Sequence, residues 1–342
     1  MAKEVPPNEP ALRTPQQPVV LRPTATSPST GSGNAGSLEA RSVIKWEIIL
    51  VFALSLGRSA IYSVIELIGR LTDSVPLADQ VMALNPSRST RPYLDLALQL
   101  YSIIFALMPV ALALFFLATR AAAKTQPEFT PRNALGLDWC GGSVVSSPSV
   151  EEREAAVFPP TACLETTTPS VGANETTGHV WKDLAKGFAL FAAVGIPGLA
   201  FFAVGRALGI TVQVQASALS DYWWTIPILI LSAFQNGALE EIIVVGYLYR
   251  RTQDLGWSQS DKIDLRFLLA SALIRGSYHL YQGIGPFIGN FVMGLFFAWW
   301  FQSKYGRKRV IPLIVAHTLL DTVAFVGYQF APAALLNLIG LG

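Results

Sequence analysis

Hydrophobic positions along this chain gather into seven apolar runs separated by polar segments. Most of the runs are near the ~20 residues that a helix needs to cross hydrocarbon, and the short fifth and sixth are plausible as spans only inside a packed bundle. A weaker stretch at 332–341 is too short to span. The pattern predicts an all-α, polytopic membrane helix bundle of about seven to eight transmembrane helices. The runs are 48–68, 96–118, 188–208, 223–249, 267–281, 287–301 and 310–330.

Two polar segments without a sustained period divide the chain. Residues 1–42 are rich in Pro, Ser, Thr and Gly, so they bury too little apolar surface to offset their ordering entropy, and we predict a disordered tail. Residues 121–186 show no sustained hydrophobic period, and we predict that they form a mostly irregular extramembrane insert. The expected organisation is therefore tail, two transmembrane helices at 43–120, insert, and a membrane domain at 187–342.

Composition supports a membrane protein and narrows its partners. Hydrophobic residues make up 51% of the chain and charged residues only 14%, against about 25% charged in soluble domains. The net charge of +2 indicates no nucleic-acid partner, and the lipid bilayer is the expected one. Two cysteines, Cys140 and Cys163, are too few for a disulfide framework or a cysteine metal cage.

Lysine and arginine are distributed unevenly over the loops. The N-terminal tail, the insert and the loops at 250–266 and 303–309 are basic, whereas the loop at 282–286 and the C-terminal segment carry no Lys or Arg. The positive-inside rule then predicts a multi-pass protein of the cell membrane with a cytoplasmic N-terminus. Both cysteines would lie on the cytoplasmic side, where free thiols are expected.

Three of the last four apolar runs contain ionisable residues, and each of these side chains is costly in hydrocarbon unless it faces a polar cavity or a partner. Two of these runs carry a pair four residues apart, which places both members on one helix face. The residues are Glu240 and Glu241 in the fourth run, Arg275 and His279 in the fifth, and His317 and Asp321 in the seventh.

Depth can be counted from the basic ends of these runs at ~1.5 Å per residue. Glu240 then lies about 15 Å from Arg250, and His279 about 20 Å from Arg266. His317 and Asp321 lie about 12 and 18 Å from Arg309. The four groups are thus expected around one cavity in the middle of the membrane, which would explain why the carboxylates are tolerated.

A carboxylate and an imidazole around one cavity can share a water and take its proton, which makes a nucleophile near neutral pH. A second histidine and an aspartate can stabilise an oxyanion if the aspartate is protonated or orients the ring. No serine or cysteine stands beside these groups in a nucleophile motif. This set favours direct attack by water over an acyl-enzyme.

The three segments resemble the motifs of the intramembrane glutamic proteases known as the CAAX prenyl endopeptidase and Abi family. The resemblance covers about 190–329 and implies an endopeptidase acting on membrane-associated peptides or lipidated proteins, such as those with prenylated CAAX ends. It makes Glu240 the base that activates water with His279, and makes His317 and Asp321 the oxyanion site. The matching segments are Glu240-Glu241-Ile-Ile-Val-Val245, Arg275-Gly-Ser-Tyr-His279 and His317-Thr-Leu-Leu-Asp321.

Two positions depart from that family pattern. Val245 stands where the family has arginine, and Arg275 stands where it has phenylalanine. Glu241, the supporting carboxylate, has therefore lost its usual partner. Counting places Glu241 and Arg275 level, each about 14 Å from a basic end. We predict that the positive charge has moved between helices and that Arg275 pairs with Glu241.

Alternative interpretations remain open from the sequence. The same polar groups could form the relay of a proton-coupled transporter, or belong to a catalytically silent membrane scaffold. Glu240 and Glu241 could also serve only as a structural ion pair with Arg275. Zinc could be held by Glu240, His279 and His317, but the chain lacks a His-Glu-x-x-His motif, so catalysis without a cofactor is the expectation.

Overall fold

The computed structural model describes residues 32–123, 173–257, 262–332, 334 and 336, with side chains from 41 to 119 and from 180. Most of the predicted tail, the centre of the insert with both cysteines, and most of the weak last run lie outside these residues. The first helix begins at Ser32 and the helix after the insert at Ala173, so both start inside segments that the sequence predicted as irregular.

Helices account for most of the described residues. Two three-residue strands, β1 (Val81–Ala83) and β2 (Gln213–Gln215), pair in parallel. The helices are α1 (Ser32–Phe52), α2 (Arg58–Leu71), α3 (Pro92–Ala106), α4 (Met108–Ala123), α5 (Ala173–Ala207), α6 (Thr225–Glu240), α7 (Leu248–Asp254), α8 (Leu265–Ser277), α9 (Ile284–Gln302) and α10 (Ile311–Phe330).

Within the described ranges, six helical segments are long and apolar enough to cross a membrane. The predicted all-α polytopic membrane bundle is confirmed, with six such segments in place of seven to eight. The segments are Arg41–Leu71, Pro92–Thr119, Val180–Ala207, Thr225–Asp254, Ile284–Gln302 and Ile311–Phe330.

The fifth apolar run accounts for the lower count. Its helix, α8, has only 13 residues and ends at Ser277, whereas the run of apolar residues continues to position 281. A short 3₁₀ turn, Leu280–Gln282, follows, and Gly283 adopts a φ of 112° that a residue with a Cβ rarely reaches. Apolar composition alone could not reveal this early helix end.

Loops gather at two ends of the compact unit that begins at Arg41. At one end the basic loops meet: Lys308 Nζ lies 5.5 Å from the centroid of the Tyr249 ring, and Arg309 pairs with Asp183 at 2.6 Å. These contacts join the loop between α9 and α10 to Tyr249, at the end of the fourth apolar run, and to Asp183, which lies in α5 before the third run.

The other end holds the loops at 72–91, 208–224 and 278–283, and the last two of these carry no Lys or Arg. Strands β1 and β2 pair there, and Thr211 forms an isolated antiparallel bridge with Gly283. The fifth run therefore connects the two ends as a short helix followed by a turn. It brings that turn between the other helices, which is where the sequence predicted the polar groups.

Close helix contacts at two glycines set the positions of the helices that carry these groups. A Cβ on Gly237 in α6 would lie 2.8 Å from Thr318 Oγ1 in α10. A Cβ on Gly294 in α9 would lie 2.8 Å from the Cα of Ala272 in α8. Both distances are shorter than real Cβ contacts allow, so glycine permits each pair of backbones to approach.

The fourth apolar run is not one regular α-helix. A seven-residue π-helical segment, Glu241–Tyr247, separates α6 from α7. Residues 240–249 are all buried, so this irregular turn lies inside the bundle. Single π-helical turns inside α-helices occur frequently at functional sites, and this one begins directly after Glu240.

Candidate active site

Arg275 lies at the centre of the buried polar cluster. Its side chain is fully buried, and its Nη2 donates to Glu241 Oε1 at 2.7 Å. Its Nη1 donates to Glu240 Oε2 at 3.2 Å. The guanidinium carbon lies 5.4 Å from the centroid of the Phe297 ring on α9. The predicted pair with Glu241 is confirmed, and the structure extends it to Glu240.

Glu241 is enclosed on all sides. Its side chain is 0% exposed, and Oε1 is also 2.7 Å from His317 Nδ1. Its Oε2 is fully buried and has no hydrogen-bond partner in the described part of the chain. A carboxylate without open surface cannot meet a substrate, so the structure supports a positioning role for Glu241.

Glu240 differs from its neighbour in retaining an open oxygen. Its Oε2 accepts hydrogen bonds from Arg275 and, at 2.6 Å, from the Tyr278 hydroxyl. Its Oε1 accepts no hydrogen bond from the described residues. This oxygen is also not one of the described side-chain atoms that are fully buried without a partner. The side chain is 9% exposed. Of the two adjacent carboxylates, Glu240 is thus the one that can reach a water.

His279 lies in the turn after α8 and not on the helix, which corrects the expectation that it shares a helix face with Arg275. The ring is only partly buried, and Nδ1 is 2.9 Å from the Arg275 carbonyl oxygen. Because a carbonyl only accepts, Nδ1–H must be the donor, and Nε2 of the neutral ring keeps its lone pair. That nitrogen is therefore available to a water.

His317 and Asp321 share one face of α10, as predicted. His317 Nε2 lies 3.9 Å from Asp321 Oδ1, and the Nδ1 of the same ring lies 3.9 Å from Glu240 Oε2. Asp321 Oδ2 accepts a hydrogen bond of 2.9 Å from Asn236 on α6. These distances confirm that Glu240, His317 and Asp321 converge at one depth.

Three contributors to the cluster escaped the sequence reasoning. Tyr278 stands directly before His279, and Asn236 lies one helical turn before Glu240, so their positions were a usable signal. Ser63 on α2 donates to the Tyr278 carbonyl at 2.9 Å. No local sequence signal points to Ser63, because 215 residues separate it from its partner.

A metal ion fits this cluster poorly. Donor atoms of Glu240, Glu241 and His317 all lie within 4.8 Å of one another. This set differs from the zinc ligands considered from sequence, because Glu241 takes the place of His279. However, the Arg275 guanidinium bonds both carboxylates and lies 3.4 Å from His317 Nδ1. A cation already occupies the position where these donors would hold a metal.

Residues 222–323 match the family model of the type II CAAX prenyl endopeptidase Rce1-like proteins. The matched segment contains all six predicted site residues, which confirms the resemblance inferred from the three motifs. The proteins of this family are endopeptidases, so at the level of the family the match indicates a hydrolase. The described residues contain six segments that are long and apolar enough to cross a membrane. Neither the curated proteins nor the solved structures contain a match to this chain.

Proposed function

We propose that this protein, through its Rce1-like domain at 222–323, is an intramembrane endopeptidase of membrane-associated peptides, including prenylated proteins of the CAAX type. The observation that carries the proposal is the unequal environment of the two adjacent glutamates. Glu241 is sealed between Arg275 and His317. Glu240 keeps an oxygen free beside the turn that carries His279.

In the proposed reaction, Glu240 and His279 hold one water between Oε1 and Nε2. Glu240 takes a proton from that water, and the water oxygen bonds to the carbonyl carbon of the scissile peptide. The tetrahedral intermediate then collapses as the C–N bond breaks, and the leaving amine takes the proton from Glu240. Arg275 and Glu241 position the base throughout and do not touch the substrate.

His317 and Asp321 form the oxyanion site in this scheme. Glu241 holds Nδ1 of His317 at 2.7 Å, which leaves Nε2 as the nitrogen that can donate to the oxyanion. Because Nδ1–H donates to the Glu241 carboxylate, Nε2 donates as well only in the imidazolium form of the ring, in which both nitrogens carry a proton. Asp321, held by Asn236, orients the ring, or donates itself when protonated.

The arrangement of the polar groups favours a hydrolase over a transporter. A proton relay needs groups strung along a path that connects the two faces of the membrane. Here Glu240, Glu241, Arg275 and His317 instead form one compact network of direct contacts. A silent scaffold would keep the same network, so only an activity measurement separates it from an enzyme.

The basic loops support the proposed orientation in the cell membrane. The loops at 250–266 and 303–309 and the segment around Asp183 meet at one end of the bundle. The positive-inside rule assigns that end to the cytoplasm, which places the N-terminus there as well. Accessibility of single cysteines introduced at Ser303 and Ser220 to an impermeant thiol reagent tests this, in a background that lacks Cys140 and Cys163.

The proposed activity is tested with purified protein in liposomes. A farnesylated peptide ending in a CAAX sequence, and the same peptide without the lipid, are incubated with it and the products are identified by mass spectrometry. We expect cleavage on the carboxyl side of the lipidated cysteine, and slower cleavage without the lipid. No product from either peptide would overturn the proposal in favour of a transporter or a scaffold.

His317→Ala is expected to reduce kcat by about 10²–10³ and to leave measurable activity, because removing one oxyanion donor typically costs that much. His179→Ala is the matched control, since this third histidine lies in the segment that the sequence predicts as the extramembrane insert. Initial rates at saturating peptide give the comparison. A fully active His317→Ala would remove this residue from the site.

Chelators are expected to leave hydrolysis unchanged, because the guanidinium of Arg275 occupies the position among the carboxylates where a metal would bind. Activity is measured before and after dialysis against a strong zinc chelator, and bound metal is quantified by mass spectrometry. Stoichiometric zinc, together with activity lost on chelation and restored by zinc, would contradict this prediction.

A further inference from the structure

We infer that Tyr278 is a positioning residue for the reaction: its hydroxyl holds Oε2 of Glu240, so that Oε1 is the oxygen that takes the proton from water. This inference rests on the proposed function, since it concerns the same site. Neither the sequence motifs nor the family match assigns a role to Tyr278.

The contact between the two side chains is the shortest one made by Glu240. The Tyr278 hydroxyl donates to Oε2 at 2.6 Å, compared with 3.2 Å for Arg275 Nη1. A length of 2.5–2.7 Å is typical of a charge-assisted O–H···O⁻ hydrogen bond, which is about twice as strong as a neutral one. Tyr278 is therefore a principal donor to this carboxylate.

Elements other than the turn that carries it hold Tyr278 in place. Its carbonyl accepts the hydrogen bond from Ser63 on α2, and its ring packs with Leu56 and with Val244 of the π-helical segment. Only 5% of the residue is exposed. A tyrosine fixed by two other elements presents its hydroxyl in one direction, and that direction is towards Glu240.

The terminal torsion of a glutamate is broad and roughly two-fold, so a carboxylate with one donor can turn and exchange its oxygens. Two donors on the same oxygen, Arg275 and Tyr278, oppose that rotation. The ring of Tyr278 also lies 4.7 Å from the ring of His279. The hydroxyl of Tyr278 thus connects Glu240, the base, to the turn that carries His279. A small misplacement of catalytic groups strongly reduces the reaction rate.

The arrangement makes a specific kinetic prediction for Tyr278→Phe, which removes the hydroxyl and keeps the ring. We expect kcat to fall roughly 10- to 100-fold, the range expected for losing one hydrogen bond to a charged group. KM should stay unchanged, because Tyr278 is buried and its hydroxyl is bonded to Glu240. Tyr281→Phe is the matched control, since its hydroxyl accepts from Gln282 and not from a site carboxylate.

A purely structural role must be separated from positioning. Binding-competent sites are therefore titrated with a farnesylated peptide whose scissile bond is reduced to an amine, and kcat is divided by that concentration. Partial unfolding of Tyr278→Phe lowers the number of sites and leaves the normalised kcat at the wild-type value. A normalised loss with an unchanged KM supports positioning.

The outcomes distinguish this inference from the proposed function. No cleavage by the wild type overturns the proposed function and the inference with it. Cleavage by the wild type, with a normalised kcat of Tyr278→Phe within twofold of that of Tyr281→Phe, overturns the inference alone. A loss of normalised kcat in Tyr278→Phe, but not in Tyr281→Phe, is the expected result.

Discussion

Glu240→Ala and His279→Ala are each expected to reduce hydrolysis of the farnesylated peptide to background while the protein stays folded. Of the two adjacent glutamates, Glu240 is the one with an open oxygen, and it is the base in the proposed reaction. His279 offers a lone pair on Nε2, since Nδ1 donates to the Arg275 carbonyl. Removing either group leaves the water without one of its two partners.

Folding should survive both changes because the surrounding ion pair remains. Arg275 keeps Glu241 when Glu240 is removed, and the turn keeps the bond between Ser63 and Tyr278 when His279 is removed. Glu66→Ala is a suitable control, because Glu66 pairs with Arg70 and its side chain is 32% exposed. Rates and thermal unfolding are measured together. Near-normal cleavage by either site variant would refute the mechanism.

Arg275→Ala is expected to be strongly destabilising. Breaking a buried ion pair from one side typically costs about 3–5 kcal/mol, because the remaining charge is left buried and uncompensated. Here the change leaves two buried carboxylates without their cation, since the guanidinium pairs with both Glu240 and Glu241. We expect a large fall in the midpoint of thermal or denaturant unfolding in detergent, and a corresponding fall in the yield of folded protein.

Two further variants test the idea that the charge has moved between helices. Val245→Arg in the Arg275→Ala background should recover part of the lost stability, because it returns a cation close to Glu241. Recovery should be incomplete, since Val245 is fully buried in an apolar cluster. Arg70→Ala is the control for removing an arginine, since the side chains of Arg70 and its partner Glu66 are 15% and 32% exposed. An ion pair near the surface typically contributes about 1 kcal/mol or less. Equal stability of Arg275→Ala and Arg70→Ala would contradict the role of Arg275.

Much of the site could be predicted because its signals are local to each segment. The spacing of four residues places His317 and Asp321 on one face whatever the neighbouring helices do, and their 3.9 Å separation confirms it. Counting from the basic ends gave Glu241 and Arg275 the same depth, and they form a 2.7 Å pair. Apolar length and depth are properties of a single helix, so the amino-acid sequence alone determined them.

Only the tertiary structure decided which groups meet at that depth. The early end of α8 at Ser277 creates the turn that carries Tyr278. The contacts of Tyr278 with Glu240 and of His317 with Glu241 then depend on how each helix is rotated about its own axis. That rotation is set by packing between distant segments, as with Ser63 and Tyr278, 215 residues apart, or with Gly294 against Ala272. Periodicity specifies a face and a depth but not the neighbour across from it, because the neighbour is chosen by the free energy of packing the whole bundle.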